Sequence, residues 1–115
     1  MMKFSRYNKY KNIRTKYDGI NFASKKEKIR YQELKLLEKA GKIKDLELQP
    51  EFILQSGFTD RDENKYRRIT YRADFAYKEK GKEIIEDCKG VKTEVYKIKK
   101  KMLLYGYQHL IFREV

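Results

Sequence analysis

The 115-residue chain has a single cysteine, a single histidine and a single proline. Cys88 alone cannot close an internal disulfide, and with His109 it cannot assemble a zinc site of the usual Cys/His kind. A metal held here must therefore be held by oxygen. No apolar run approaches the roughly 20 residues that span a bilayer, and the opening MMKFSRYNKYKNIRTKY lacks the apolar stretch of a signal peptide. These absences predict a soluble intracellular protein, in the cytoplasm, with no membrane partner. Acid is also scarce: 17 Asp and Glu stand against 29 Lys and Arg, leaving a formal charge of +12. On so short a chain that surplus points to a polyanionic partner, nucleic acid ahead of an anionic membrane surface. The length allows one domain with one modest core.

Along the chain, residues 1–20 form a basic arm in which Lys3, Arg6, Lys9, Lys11, Arg14 and Lys16 alternate with Tyr7, Tyr10 and Tyr17. Two readings stand side by side: a solvated, mobile terminus, or an arm that neutralises phosphates and stacks on exposed bases. Residues 21–115 form the single domain. Ser24 reads as a helix N-cap, Glu27 as its capping-box partner and Gly41 as the stop, with Ile29, Leu34, Leu36, Leu37 and Ala40 as a broad apolar face. LELQPEFIL (46–54) alternates as a strand, with Pro50 at an edge or bulge. QSGFTDRDENKYRR (55–68) reads as a polar loop. Its DRDEN resembles the start of a calcium-binding loop, but Lys65 and Tyr71 occupy the positions that need glycine and glutamate, which excludes that reading. RADFAYKEKGKEIIEDCKG (72–90) supplies two strands. Residues 91–106 supply a helix with Val95, Ile98, Met102 and Tyr105 at helical spacing opposite a lysine-rich side, and QHLIFREV a closing strand. The expected fold is mixed α/β, an α+β-like mixed sheet in the order helix, strand, strand, strand, helix, strand.

The 72–90 stretch places acids where strands disfavour them. If Lys80 and Gly81 are the central residues of a tight turn, Asp74 lies opposite Asp87 and Arg72 opposite Lys89, all four on one face. Carboxylates about 5 Å apart repel by about 3 kcal/mol at an effective dielectric of about 20. A proton or cation must offset this, with Lys89 one candidate and a divalent metal the stronger one. A slip of one residue would instead set Glu86 opposite Asp74 and turn Lys89 away.

An aspartate followed about a dozen residues later by [D/E]-x-K, here Asp74 and then Asp87-Cys88-Lys89, resembles the signature of the PD-(D/E)XK nuclease superfamily, in particular small phage junction-resolving endonucleases. The resemblance runs from residue 22 to about 112, with Ala73 where the eponymous proline would stand. It implies a restriction-endonuclease-like core and a metal-dependent DNA endonuclease selective for branched DNA, in the manner of a Holliday-junction resolvase. It further implies one or two Mg2+ (or Mn2+) ions on Asp74, Asp87, Glu27 and the Cys88 backbone carbonyl. Lys89 would position or deprotonate the attacking water. For the acid from the first helix, Glu33 competes with Glu27. Lys92, Lys97, Lys99, Lys100 and Lys101, with Arg72, Lys11, Arg14 and Lys16, would contact DNA phosphates. Two cuts on opposing strands need two sites, hence a homodimer. The alternative is a nucleic-acid-binding protein without catalysis.

Overall fold

The computed structural model describes residues 15–88 and 92–115. Helix α1 (Lys25–Lys39) begins where the sequence places it: Ser24 is extended (φ −150°) and its Oγ accepts the Glu27 amide at 3.2 Å. It ends at Ala40, and Gly41 follows with φ 76°. Its buried stripe, however, is Glu27, Tyr31 and Leu34, whereas Ile29, Leu36 and Leu37 are exposed. The expected broad apolar face is corrected accordingly. The helix is phased by aromatic packing, because the Tyr31 ring meets Phe22 at 5.2 Å and Phe75 at 6.4 Å between centroids. Phe22 comes from a small hairpin, β1 (Thr15–Tyr17) and β2 (Ile20–Phe22), turned by Asp18 and Gly19 at φ 56° and 73°. Asp18 Oδ2 also accepts from the Tyr31 hydroxyl.

A long ribbon follows. Strands β3 (Lys44–Leu48) and β4 (Glu51–Gln55) go out, and β7 (Ile69–Arg72) and β8 (Phe75–Glu79) return. Leu48 pairs Phe75 and Glu51 pairs Arg72, and the gap is bridged by Gln49 N to Asp74 O (2.9 Å) and Ala73 N to Pro50 O (3.1 Å). The ladder is therefore continuous, with a kink at Gln49 (φ 51°) and Pro50. Pro50 donates nothing there, which is what its missing N–H requires. The kink lets one ribbon serve two cores. Leu46, Leu48, Phe75 and Tyr77 pack with α1, whereas Phe52, Leu54, Tyr71 and Ala73 pack into a second cluster.

The turn at Lys80 and Gly81, with φ 52° and 76°, joins β8 to β9 (Lys82–Asp87) in the expected register, Glu79 to Lys82 through Phe75 to Glu86. Helix α2 (Glu94–Gly106) crosses over to β10 (Ile111–Glu114), which lies parallel to β9. The four-stranded mixed sheet has the order β10-β9-β8-β3. Its elements follow the expected order of helix, three strands, helix and strand. Strand β9 is buried on both faces, Ile84 in the first core and Ile85 in the second.

Two expectations are corrected here. The 55–68 stretch is not a plain loop: β5 (Phe58–Thr59) and β6 (Lys65–Tyr66) pair and extend the long ribbon. On α2 the buried residues are Tyr96 and Leu103, whereas Val95, Ile98 and Tyr105 are exposed. Tyr96 stacks obliquely on Tyr71, and that contact sets the helix phase against the sheet. Among the described residues, no helix is long and apolar enough to cross a membrane.

Candidate functional site

The kink in the ribbon builds the site. At Asp74 the ladder to β9 shifts, because the Asp74 amide donates to Glu86 O at 3.1 Å and its carbonyl takes the Gln49 amide. The Asp74 side chain is then fixed by the Cys88 amide, which donates to Oδ2 at 2.6 Å. Asp74 forms no ion pair with a described residue. It lines a cavity of about 210 Å³ with Glu27, Gln49, Leu48, Phe22 and Asn21. Glu27 is buried in the first turn of α1. Glu33, by contrast, is exposed and bonded to Arg30 at 3.1 Å. Of the two competing acids, then, the structure brings Glu27 to Asp74.

Cys88 lies beside these acids. Burial pushes its thiol up to about 12, and the negative charges of Asp74 and Glu27 add to the effect. On its other side Cys88 shares a cavity of about 430 Å³ with Lys25, Lys26, Ile29 and Arg30. Lys25 and Lys26 thus bring cations to the same strand end. The sequence signal for them was available, since they occupy the turn that carries Glu27.

Asp87 is fully buried but turned to the other face, where the Tyr71 hydroxyl donates to its Oδ2. Burial first, and then the bond to Asp87, raise the Tyr71 phenol well above its ordinary range. The expected single face of Arg72, Asp74, Asp87 and Lys89 is therefore not found. Tyr71 and Ala73 face the α2 side and Phe75 and Tyr77 the α1 side, so the bend at Asp74 breaks the alternation on which that expectation rested. Arg72 is exposed and bonded to Glu51 at 3.4 Å. Lys89, Lys11 and Arg14 lie outside the described residues, and Lys16 lies in β1.

Glu86, one residue before Asp87, has no exposed surface. Arg30 grips it with two bonds, Nε to Oε1 at 2.7 Å and Nη2 to Oε2 at 2.6 Å, and the Tyr77 hydroxyl donates to Oε2. The bond to Glu86 raises the Arg30 guanidinium further above its ordinary value, and burial pushes the Tyr77 phenol up to about 12. Arg113 Nη1 in turn donates to the Tyr77 hydroxyl and to Glu79. This network escaped the sequence reading. A glutamate directly after Ile84 and Ile85 in a strand buried on both faces needs a cation, and that was its signal.

The lysines of α2 divide. Lys92 and Lys100 pair with Glu114 at 3.1 and 3.4 Å, and the Tyr96 hydroxyl donates to the same carboxylate at 2.5 Å. These bonds hold Glu114 at about 2, below the usual carboxylate range, the Tyr96 bond first. Lys100 also sits 4.7 Å over the Phe112 ring. Lys97 pairs with Glu94 at 3.1 Å. A shallow cavity of about 340 Å³ gathers Lys92, Lys97, Lys100 and Lys101 around Tyr96 and Glu114, and Lys99 lies off it.

Among the described residues, no group of three or more His, Cys, Asp or Glu side chains is placed to hold a metal. The pair Glu27 and Asp74 nonetheless fits magnesium, which keeps much of its water and is bound through one or two carboxylates together with substrate phosphate. No curated protein and no solved structure matches the chain. A family model matches residues 7–114, from the basic arm through α1, the kinked ribbon and β10, and by it the chain belongs to the family described as "Protein of unknown function (DUF1064)".

Proposed function

We propose that the chain is a metal-dependent DNA endonuclease with a restriction-endonuclease-like core, selective for branched substrates and acting as a homodimer. The observation that carries this reading is the meeting of Glu27 and Asp74 in one cavity, with the Cys88 amide fixing Asp74. Asp74 sits at the kink, and the neighbouring strand β9 ends at Asp87, with Cys88 next. The placement of Asp74 beside the strand that carries Asp87 supports the PD-(D/E)XK reading.

Each residue then has a task. Glu27 and Asp74 would hold Mg2+ or Mn2+ through hard carboxylate oxygens, with the Cys88 carbonyl as a further ligand the resemblance implies, whereas Asp87, which it also implies, would have to leave Tyr71 to join them. When bound, the metal supplies a more acidic water and stabilises charge at the attacked phosphate. Lys25 and Lys26, at the mouth of the adjoining cavity, draw in the phosphate backbone. Lys89 orients or deprotonates the attacking water, and the lysines of α2 hold the duplex further along.

The second reading, a nucleic-acid binder without catalysis, is favoured by one observation, the engagement of the Asp87 carboxylate by Tyr71. The deciding experiment is cleavage of supercoiled plasmid and of a four-way junction, with Mg2+ and with EDTA, by the native chain and by Asp74→Asn. Metal-dependent cutting by the native chain and none by Asp74→Asn is the expected result. Cutting by Asp74→Asn at the native rate, or native cutting that survives EDTA, overturns the proposal. Tight binding with no cutting by the native chain selects the second reading.

A further inference from the structure

The ribbon tip around β5 and β6 contributes to neither core. From Gln55 to Ile69 every residue except Asp60 is exposed. A two-stranded hairpin with no packed face is marginal in water, so its order here must come from local bonds, and the sequence supplies them. The Asp60 carboxylate accepts four: the amides of Asp62 (2.8 Å) and Asn64 (2.9 Å), Asn64 Nδ2 and the Tyr66 hydroxyl (both 3.1 Å). These bonds hold Asp60 below the usual carboxylate range, the Asn64 amide first. Gly57 lets the strands close, since a Cβ there would meet Tyr66 O at 3.1 Å and the Arg68 amide at 3.3 Å. The element is thus ordered, yet it buries nothing.

It presents two things to solvent. Phe58 and Tyr66, a cross-strand pair, stack with centroids 4.9 Å apart and planes 16° apart, each about half exposed. On the returning side of the ribbon stand Lys65 in β6 and Arg67 and Arg68 just after it, with Arg68 only loosely paired to Glu51 at 3.7 Å. The acids Asp62 and Glu63 are confined to the turn, so the ribbon is basic along its stem and acidic at its end. A rigid ring pair flanked by cations suits unstacked bases next to phosphates, because every base offers a π-face and every linkage a charge.

We infer that this ribbon is the contact that selects DNA with interrupted stacking. Phe58 and Tyr66 stack on a base exposed at a fork, gap or junction, and Lys65, Arg67 and Arg68 take the adjoining phosphates. This rests on the reading of the chain as a DNA enzyme. The test is therefore an equilibrium binding measurement in EDTA, independent of cleavage, so that loss of one idea does not remove the other.

Fluorescent duplex and forked oligonucleotides of equal length are titrated with the full chain and its variants. The native chain should prefer the fork. Phe58→Ala with Tyr66→Ala should cost about tenfold or more on the fork and less than about twofold on the duplex. Phe58→Tyr with Tyr66→Phe keeps both rings and should restore the preference, which separates stacking from loss of the ribbon's order. Arg67→Ala with Arg68→Ala should weaken both substrates and shallow the log–log salt slope by about 2. Equal native affinity for fork and duplex overturns the inference and leaves the cleavage assay untouched. A fork preference that survives the double alanine variant at the rings overturns it too. So does a native dimer, seen by sedimentation, that the ring variant dissociates without any change in DNA preference, since the rings would then bind a second copy.

Discussion

Glu86 and Asp87 are neighbours on β9 and both fully buried, yet the two faces of the sheet treat them differently. On the α1 face Glu86 meets the Arg30 cation in a bidentate grip, and Tyr77 closes the remaining approach. Its charge is cancelled where it is made. On the α2 face Asp87 receives the Tyr71 hydroxyl, whose phenol stays neutral because burial and Asp87 itself raise it. Asp74, at the kink between the faces, is likewise held by a neutral donor, the Cys88 amide. Neutral donors fix a carboxylate's geometry without cancelling its charge. The Arg30 pair makes Glu86 structural, whereas the amide that holds Asp74 leaves its charge able to act on a cation from outside.

Removing the cancelling cation should have the largest effect. Arg30→Ala leaves the Glu86 charge buried against a phenol and should destabilise the fold by about 3–5 kcal/mol in urea denaturation. Asp74→Asn keeps an oxygen to accept from the Cys88 amide and removes a charge, so metal-free stability should fall by less than about 1 kcal/mol while metal-dependent cleavage disappears. If the two variants lose stability equally, the acids are not differently employed.

Lys89 follows two residues past Asp87. Lys89→Met should slow single-turnover cleavage about 100-fold or more, the scale of a positioned proton-transfer group, with little change in DNA affinity. Lys97→Ala with Lys100→Ala should do the reverse, weakening binding in a salt-dependent way while saturating protein restores the rate. A Lys89→Met protein that cuts normally once saturated makes Lys89 a phosphate contact and nothing more.

How far the sequence could carry this is clearest residue by residue. Ser24 acts through its own hydroxyl, Gly41 and the Lys80-Gly81 turn through their own backbone, and each stands where local chemistry puts it. Glu27 followed from the same capping pattern, although its burial beside Asp74 did not. The helix phases differ from the expected ones because the apolar stripes of α1 and α2 compete with tyrosines, and Tyr31 and Tyr96 win by packing on Phe75 and Tyr71, rings contributed from distant strands. The one-face expectation failed at Gln49 and Asp74 for a similar reason. A kink shared by two strands is a property of their pairing, and neither strand's pattern contains it. Arg30 and Tyr77 were invisible until β9 was seen to be buried on both sides.

The smallest effect concerns a third carboxylate, treated like Glu86 but near the surface. Glu114 collects the Tyr96 hydroxyl, Lys92 and Lys100, and its folded value of about 2 lies below the ordinary 4.5. Because the folded value is depressed, the stability it contributes is fully present above about pH 4.5 and is lost as the pH falls toward 2. Its partners are partly solvated, with side chains 51% and 30% exposed for Lys92 and Lys100, so the contribution is held to about 1 kcal/mol. Glu114→Gln should therefore flatten the stability profile between about pH 4.5 and 2 and leave its slope above pH 6 unchanged. Salt should shrink the native profile toward that of the variant, as it does for pairs within reach of water. Arg30→Ala should behave differently, its loss of stability above pH 6 responding little to salt, because its partner is sealed from solvent. If salt moves both variants alike, the α1 network is a surface pair in energetic terms, and cancellation by burial is the wrong account of Glu86.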